Sequence, residues 1–128
     1  MKKVKRFFSE MEWLIMKFIW KNEKATVREV WDGLFRNREK AYTTVQTYMD
    51  RLVLKGILSK KKIGPVNVFK PLITEQAAMK FAAENLVSRA FNGSFGLLAT
   101  YLIDSRHLTR DDLEKIKQLI AKKEEEQS

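Results

Sequence analysis

Apolar residues recur along this chain with two different periods, and the switches between them mark its elements. Ser9-Glu10-Met11-Glu12 is a capping box, in which a serine hydroxyl and a glutamate three residues on satisfy each other's orphan backbone N–H groups. Met11, Leu14, Ile15 and Phe18 follow at helical spacing and predict a buried stripe on a helix ending near Asn22. A second capping box, Thr26-Val27-Arg28-Glu29, opens a short helix with Val27, Val30, Trp31 and Leu34 on one side. A charged stretch, Arg36 to Lys40, precedes a third helix from about Tyr42 to Lys55. It buries Val45, Met49, Leu52 and Tyr48 and stops at Gly56. The period then shortens. Ile57 to Ile63 and Val66 to Phe69 are β-branched and roughly alternating, joined by Gly64-Pro65, and predict a β-hairpin closed off by Pro71. Three helices followed by a hairpin is the element order of a winged helix-turn-helix, with the hairpin as the wing.

From Thr74 the chain is helical again. Ala77, Ala78, Phe81 and Ala82 share a stripe that Asn92-Gly93-Ser94 interrupts with a helix stop and a fresh N-cap. A helix from about Phe95 to Ile103 follows. The last helix is capped by Thr109, with Leu108 placed to staple onto Leu113, and its tail from Lys122 to Ser128 is charged and expected to fray. Three helices in about 50 residues cannot bury this much apolar surface alone. The expected solution is a homodimer packed through Phe81, Phe91, Phe95, Leu98, Leu102, Leu113, Ile116, Leu119 and Ile120. The expected architecture is therefore mainly α with a small β-hairpin wing: a winged helix-turn-helix over 1–73 and a helical dimerisation region over 74–128.

Composition narrows the function. The 128 residues carry a net charge of +9, unevenly spread: residues 1–73 hold 17 Lys and Arg against 7 Asp and Glu, a balance of +10, and residues 74–128 hold 8 against 9, a balance of −1. A polycationic first part points to a polyanion, either nucleic acid or an anionic membrane surface. With no cysteine, disulfides, thiolate metal sites and a cysteine nucleophile are excluded. No stretch is apolar enough to span a bilayer, so a cytoplasmic protein is expected. His107 is the single histidine and sits between two helices, where a loop or cap role is expected rather than metal ligation. No nucleophile elbow, zinc-binding His-Glu-x-x-His or phosphate-binding glycine loop occurs, so neither an enzyme nor a bound cofactor or metal is expected.

On the third helix the apolar stripe leaves Thr43, Gln46, Thr47 and Asp50 at i, i+3, i+4, i+7 on the opposite face, flanked by Thr44 and Arg51. Short hydroxyls and an amide suit the floor of a DNA major groove: Gln can pair with adenine N6 and N7, and a Thr methyl can meet the thymine methyl. Thr43, Thr44, Gln46 and Thr47 are accordingly the candidate base-contacting residues. Lys40, Arg51, Lys55, Lys60, Lys61 and Lys62 are candidates for phosphate contacts, which supply affinity and register without reading sequence. Lys2, Lys3, Lys5 and Arg6 form either an arm along the DNA backbone or, with Phe7 and Phe8, a membrane-surface patch. Trp13, Trp20 and Trp31 fall on or beside core stripes and are assigned to the core rather than to base stacking. The residues alone leave two rivals to operator binding: a winged-helix protein-interaction module and a non-specific nucleic-acid-binding module.

Several segments together resemble the penicillinase repressor family, which includes β-lactamase and methicillin-resistance repressors and copper-responsive relatives. They are Ser9-Glu10-Met11-Glu12 with Met16-Lys17-Phe18-Ile19-Trp20, then Thr44-Val45-Gln46-Thr47 with Arg51-Leu52 and Lys55-Gly56, and finally Arg89-Ala90-Phe91-Asn92-Gly93-Ser94. The resemblance implies a homodimer that represses genes at a short inverted repeat in double-stranded DNA. It also implies residues 74–128 wound around their counterparts, and an upstream sensor or protease as a partner. Three departures stand out. Tyr101-Leu102 occupies the place of the Asn-Phe pair at which the antibiotic-resistance branch is cleaved. The cysteine cluster of the copper branch is missing. Pro65 follows the wing glycine where the family often has arginine, which shifts the expected wing contacts to Lys60, Lys61 and Lys62.

Overall fold

The computed structural model describes residues 8–127, so the basic arm Lys2, Lys3, Lys5 and Arg6, with Phe7, lies outside the described residues. Its elements run α1 (Glu10–Asn22), α2 (Val27–Leu34), α3 (Tyr42–Leu54), β1 (Leu58–Ile63), β2 (Val66–Pro71), α4 (Glu75–Ala90), α5 (Phe95–Asp104) and α6 (Arg110–Gln127). Both capping boxes form. Ser9 accepts from the Glu12 N–H while Glu12 accepts from the Ser9 N–H, and Thr26 and Glu29 do the same at α2. The chain divides into two compact units, Met1–Glu84 and Asn85–Ser128. The division falls inside α4, whereas the residue pattern places a boundary at its start. No helix among the described residues is long and apolar enough to cross a membrane.

In the first unit the core joins Ile15, Met16 and Ile19 of α1, Val27 and Val30 of α2, Val45, Met49 and Leu52 of α3, and Ile57, Leu58 and Phe69 of the wing base. Complete burial of an aliphatic side chain contributes about 2 kcal/mol, so this cluster is the dominant stabilising term of the unit. The α1 stripe is rotated from the expected one: Met16 and Ile19 are fully buried, while Leu14 is 46% exposed and faces solvent. Burial of Met16 and Ile19 with Ile15 sets this face, and it carries Glu12, 3% exposed, inward with them. Glu12 Oε2 accepts from Lys55 Nζ at 2.7 Å, tying the start of α1 to the end of α3. Trp20 and Trp31 are half-buried against this core as expected, whereas Trp13 is half-buried beside it. Trp20 Nε1 donates to the Ile73 carbonyl and Trp31 Nε1 to the Lys40 carbonyl, while Trp13 packs edge-on against Phe8.

β1 and β2 pair antiparallel with Ile63 opposite Val66, so Gly64 and Pro65 alone make the turn, and Gly64 takes the positive φ of 61° that this two-residue loop requires. Phe69 also exchanges both backbone hydrogen bonds with Ala25, which anchors the wing base to the α1–α2 connection. In the second unit Val87 is buried, Ser94 caps α5, and Thr109 caps α6 while Asp112 returns a bond to the Thr109 N–H. The tail expected to fray from Lys122 is instead helical to Gln127, as the high helix propensity of Lys, Glu and Gln favours.

The Glu12–Lys55 pair generates a stability prediction. Removing Lys55 leaves a buried carboxylate without its ammonium, so Lys55→Met should cost about 3 kcal/mol. Glu12→Gln keeps the capping box but removes the charge, and the Glu12→Gln/Lys55→Met double variant should recover at least half of that loss. Midpoints of urea unfolding for the three variants measure this, and a double variant less stable than Lys55→Met would contradict it.

Candidate nucleic-acid interface

α3 is anchored along one edge only. Val45, Met49 and Leu52 are buried, and the opposite edge leaves Thr43, Gln46 and Thr47 exposed, with Thr44 half-buried at the margin. The Thr47 hydroxyl donates to the Thr43 carbonyl at 2.9 Å, which commits its hydrogen and leaves its oxygen able to accept. The exposed edge thus offers one amide that both donates and accepts, a hydroxyl acceptor and a methyl, the groups that pair with base edges and the thymine methyl.

The cations fall into two sets. Lys40, Arg51, Lys61 and Lys62 are exposed, and Arg51 lies 5.5 Å from the Tyr48 ring. Lys55, also expected at a phosphate, donates from its ammonium to Glu12 Oε2 at 2.7 Å and is half-buried. Lys60 donates to Asp50 Oδ1 at 3.0 Å and so links the wing to the groove-facing edge of α3. Two further arginines were not singled out by spacing. Arg38 holds a positive φ of 59°, stacks 3.7 Å from the Trp31 ring and donates to Asp32 Oδ1 at 2.9 Å; Arg28 Nε lies 3.4 Å from the other Asp32 oxygen. The Arg38 hydrogen bond holds the Asp32 carboxyl below the usual carboxylate range. This cluster braces the turn that delivers α3. Arg28 also lines, with Tyr42, Gln46, Lys60 and Asn67, a cleft of about 260 Å³ between α3 and the wing. The i,i+4 spacing of Arg28 and Asp32 was legible; the involvement of Tyr42 and Asn67 needed the tertiary fold.

Of the residues expected to pair two chains, Phe95, Leu102, Leu113, Leu119 and Ile120 are exposed, and Phe81, Leu98 and Ile116 are half-buried. Phe91 is engaged within its own unit, edge-on to Tyr101 at 5.7 Å.

The family model described as "Penicillinase repressor" matches residues 8–122 of the chain. The chain belongs to the penicillinase repressor family. Similar proteins include the Penicillinase repressor of Bacillus licheniformis, 28% identical over 94% of this chain and 93% of that one. The Methicillin resistance regulatory protein MecI of Mammaliicoccus sciuri is 24% identical over 90% of this chain and 94% of that one. Among solved structures, the DNA binding domain of the repressor BlaI superposes with a TM-score of 0.52 and 37% identity, covering 59% of this chain and 90% of that domain. The structural match supports the winged-helix reading of the helix and hairpin order. As a member of this family the chain is a DNA-binding transcriptional repressor.

In this repressor Asp50 stands on the same edge of α3 as Thr43, Gln46 and Thr47, and it pairs with Lys60. Asp50→Asn removes the negative charge and releases the ammonium. Affinity for random duplex should rise, and the slope of log K against log salt should steepen by about one. Titrations of random duplex at several salt concentrations check this; an unchanged slope would show that Lys60 stays off the phosphates.

Proposed function

We propose that this repressor acts in the cytoplasm as a homodimer on an inverted-repeat operator, its two α3 helices entering successive major grooves. Thr43, Thr44, Gln46 and Thr47 read the bases. Lys40, Arg51, Lys61 and Lys62 hold the flanking phosphates, and Lys60 joins them when Asp50 releases it. The observation that carries this reading is the two-faced α3, whose apolar edge is fully committed to the core while the opposite edge presents Thr43, Gln46 and Thr47 to solvent. Residues 1–73 supply the DNA-binding module and residues 74–128 the dimer contacts. Support for the second assignment is apolar: Phe95, Leu102, Leu119 and Ile120 are each at least half exposed, far from what a stable monomer leaves in water.

Selection of bound sequences from random duplex DNA at two salt concentrations tests the proposal. An inverted repeat with half-sites about one helical turn apart is expected. Recovery of no motif, with affinity that only collapses as salt rises, would reduce the function to non-specific polyanion binding. On the selected operator, Gln46→Ala should lose about 1–3 kcal/mol of discrimination at one base position, whereas Lys61→Ala should weaken operator and random duplex alike. If both variants behave identically, α3 does not read bases. The Leu119→Glu/Ile120→Glu double variant should have a monomer's mass by light scattering and bind the operator at least about tenfold more weakly, because the second half-site is no longer tethered. A dimer's mass in that variant would move the dimer contacts elsewhere.

A further inference from the structure

Among the described helices α3 begins differently from the others. Ser9, Thr26, Thr74, Ser94 and Thr109 each accept a backbone N–H at the start of α1, α2, α4, α5 and α6. Ala41, the N-cap of α3, has no side-chain oxygen and makes no such bond. Its backbone is nonetheless set for one, with φ −70° and ψ 150° beside the −72° and 168° of Ser9. A helix without a side-chain cap frays from its first turn, because water meets the orphan N–H groups there equally well. In α3 that turn carries Thr43 and Thr44.

The start of α3 is anchored from α2 instead. Trp31 Nε1 donates to the Lys40 carbonyl at 2.7 Å, and the Trp31 ring meets the Tyr42 ring edge-on at 5.5 Å. Lys40 and Tyr42 flank Ala41, so one side chain holds the backbone on both sides of the uncapped position. Trp31 is held in turn by the Arg38 guanidinium, which lies 3.7 Å from its ring centre and donates to Asp32 Oδ1. Lys40 is exposed, so water can replace the indole at its carbonyl with little loss of stability, but water fixes neither the path of the chain nor the first residue of the helix.

We propose that Trp31 is a positioning residue for base reading: through Lys40 and Tyr42 it keeps the first turn of α3 formed, with Thr43 and Thr44 in place, before DNA arrives. The inference rests on the operator-binding reading above. Operator binding requires that turn, so a fall in its population weakens operator binding in proportion, whereas sequence-independent attraction to phosphates does not depend on it.

The full-length chain is the system for the test, and Trp31→Phe is the first variant, because it keeps a ring for Tyr42 and Arg38 while removing the indole N–H. The Thr44 and Val45 amides, which donate to the Ala41 carbonyl, should exchange their hydrogens at least about threefold faster than in the parent, with a thermal midpoint close to parental. Affinity for the selected operator should fall at least about threefold while affinity for random duplex stays parental. Adding Ala41→Ser supplies the missing cap and should restore both amide protection and operator affinity. A purely structural role for Trp31 would instead lower the thermal midpoint and weaken operator and random duplex together, with no rescue by Ala41→Ser. That outcome, or parental amide exchange in Trp31→Phe, would overturn the assignment. If the parent selects no operator, the operator reading itself fails, while amide exchange still reports whether Trp31 holds the turn. If the parent selects an operator and Trp31→Phe binds it as tightly, only the positioning assignment fails.

Discussion

Everything in the first unit is arranged to cover one narrow stripe on α3. Val45, Met49 and Leu52 are the only fully buried positions of that helix, and they are met by Ile15, Met16 and Ile19 from α1, Val30 from α2, and Leu58 and Phe69 from the wing. A helix fixed along so narrow an edge keeps most of its circumference in water. That remaining circumference is where Thr43, Gln46 and Thr47 stand. Rotating α3 about its axis would expose Met49 and bury polar groups, so the packing that stabilises the unit also sets which residues face outward.

The charges are partitioned by the same fold. Of the basic residues near α3, Lys55 is drawn inward to Glu12, Lys60 is held by Asp50, and Arg28 and Arg38 converge on Asp32 and the Trp31 ring. These pairs position elements rather than provide bulk attraction. Lys55 aligns the end of α3 with the start of α1, Lys60 aligns the wing with α3, and the Arg38 cluster sets the turn between α2 and α3. Lys40, Arg51, Lys61 and Lys62 stay exposed and outside these pairs.

The second unit has the opposite character. Its caps and helix boundaries are well formed, yet α5 and α6 contain no buried residue, and their leucines and isoleucines lie largely in water. Local structure there is complete, whereas burial is not. Helices of this length gain most of their stability from packing an apolar face, and here much of that face is exposed.

What the sequence determined by itself was whatever depends on neighbours three or four residues apart. The Ser9–Glu12 and Thr26–Glu29 boxes, the stop at Gly56, the Gly64-Pro65 turn and the Ser94 and Thr109 caps are local bonds, and they placed the helices and both strands to within about two residues, except for the end of α6. The polar edge of α3 was legible for the same reason, since it is the complement of a 3.6-residue period. Only the tertiary structure decided the rotation of α1, which buried Met16 and Ile19, left Leu14 in water and brought Glu12 to Lys55, 43 residues away. It alone decided the pairing of Lys60 with Asp50, and the cleft that brings Arg28, Tyr42 and Asn67 beside Gln46. Helical periodicity shows that a helix has a stripe. Which of two overlapping stripes is buried, and which lysines are spent on carboxylates, depends on groups that are distant in the chain and adjacent only once the core has formed.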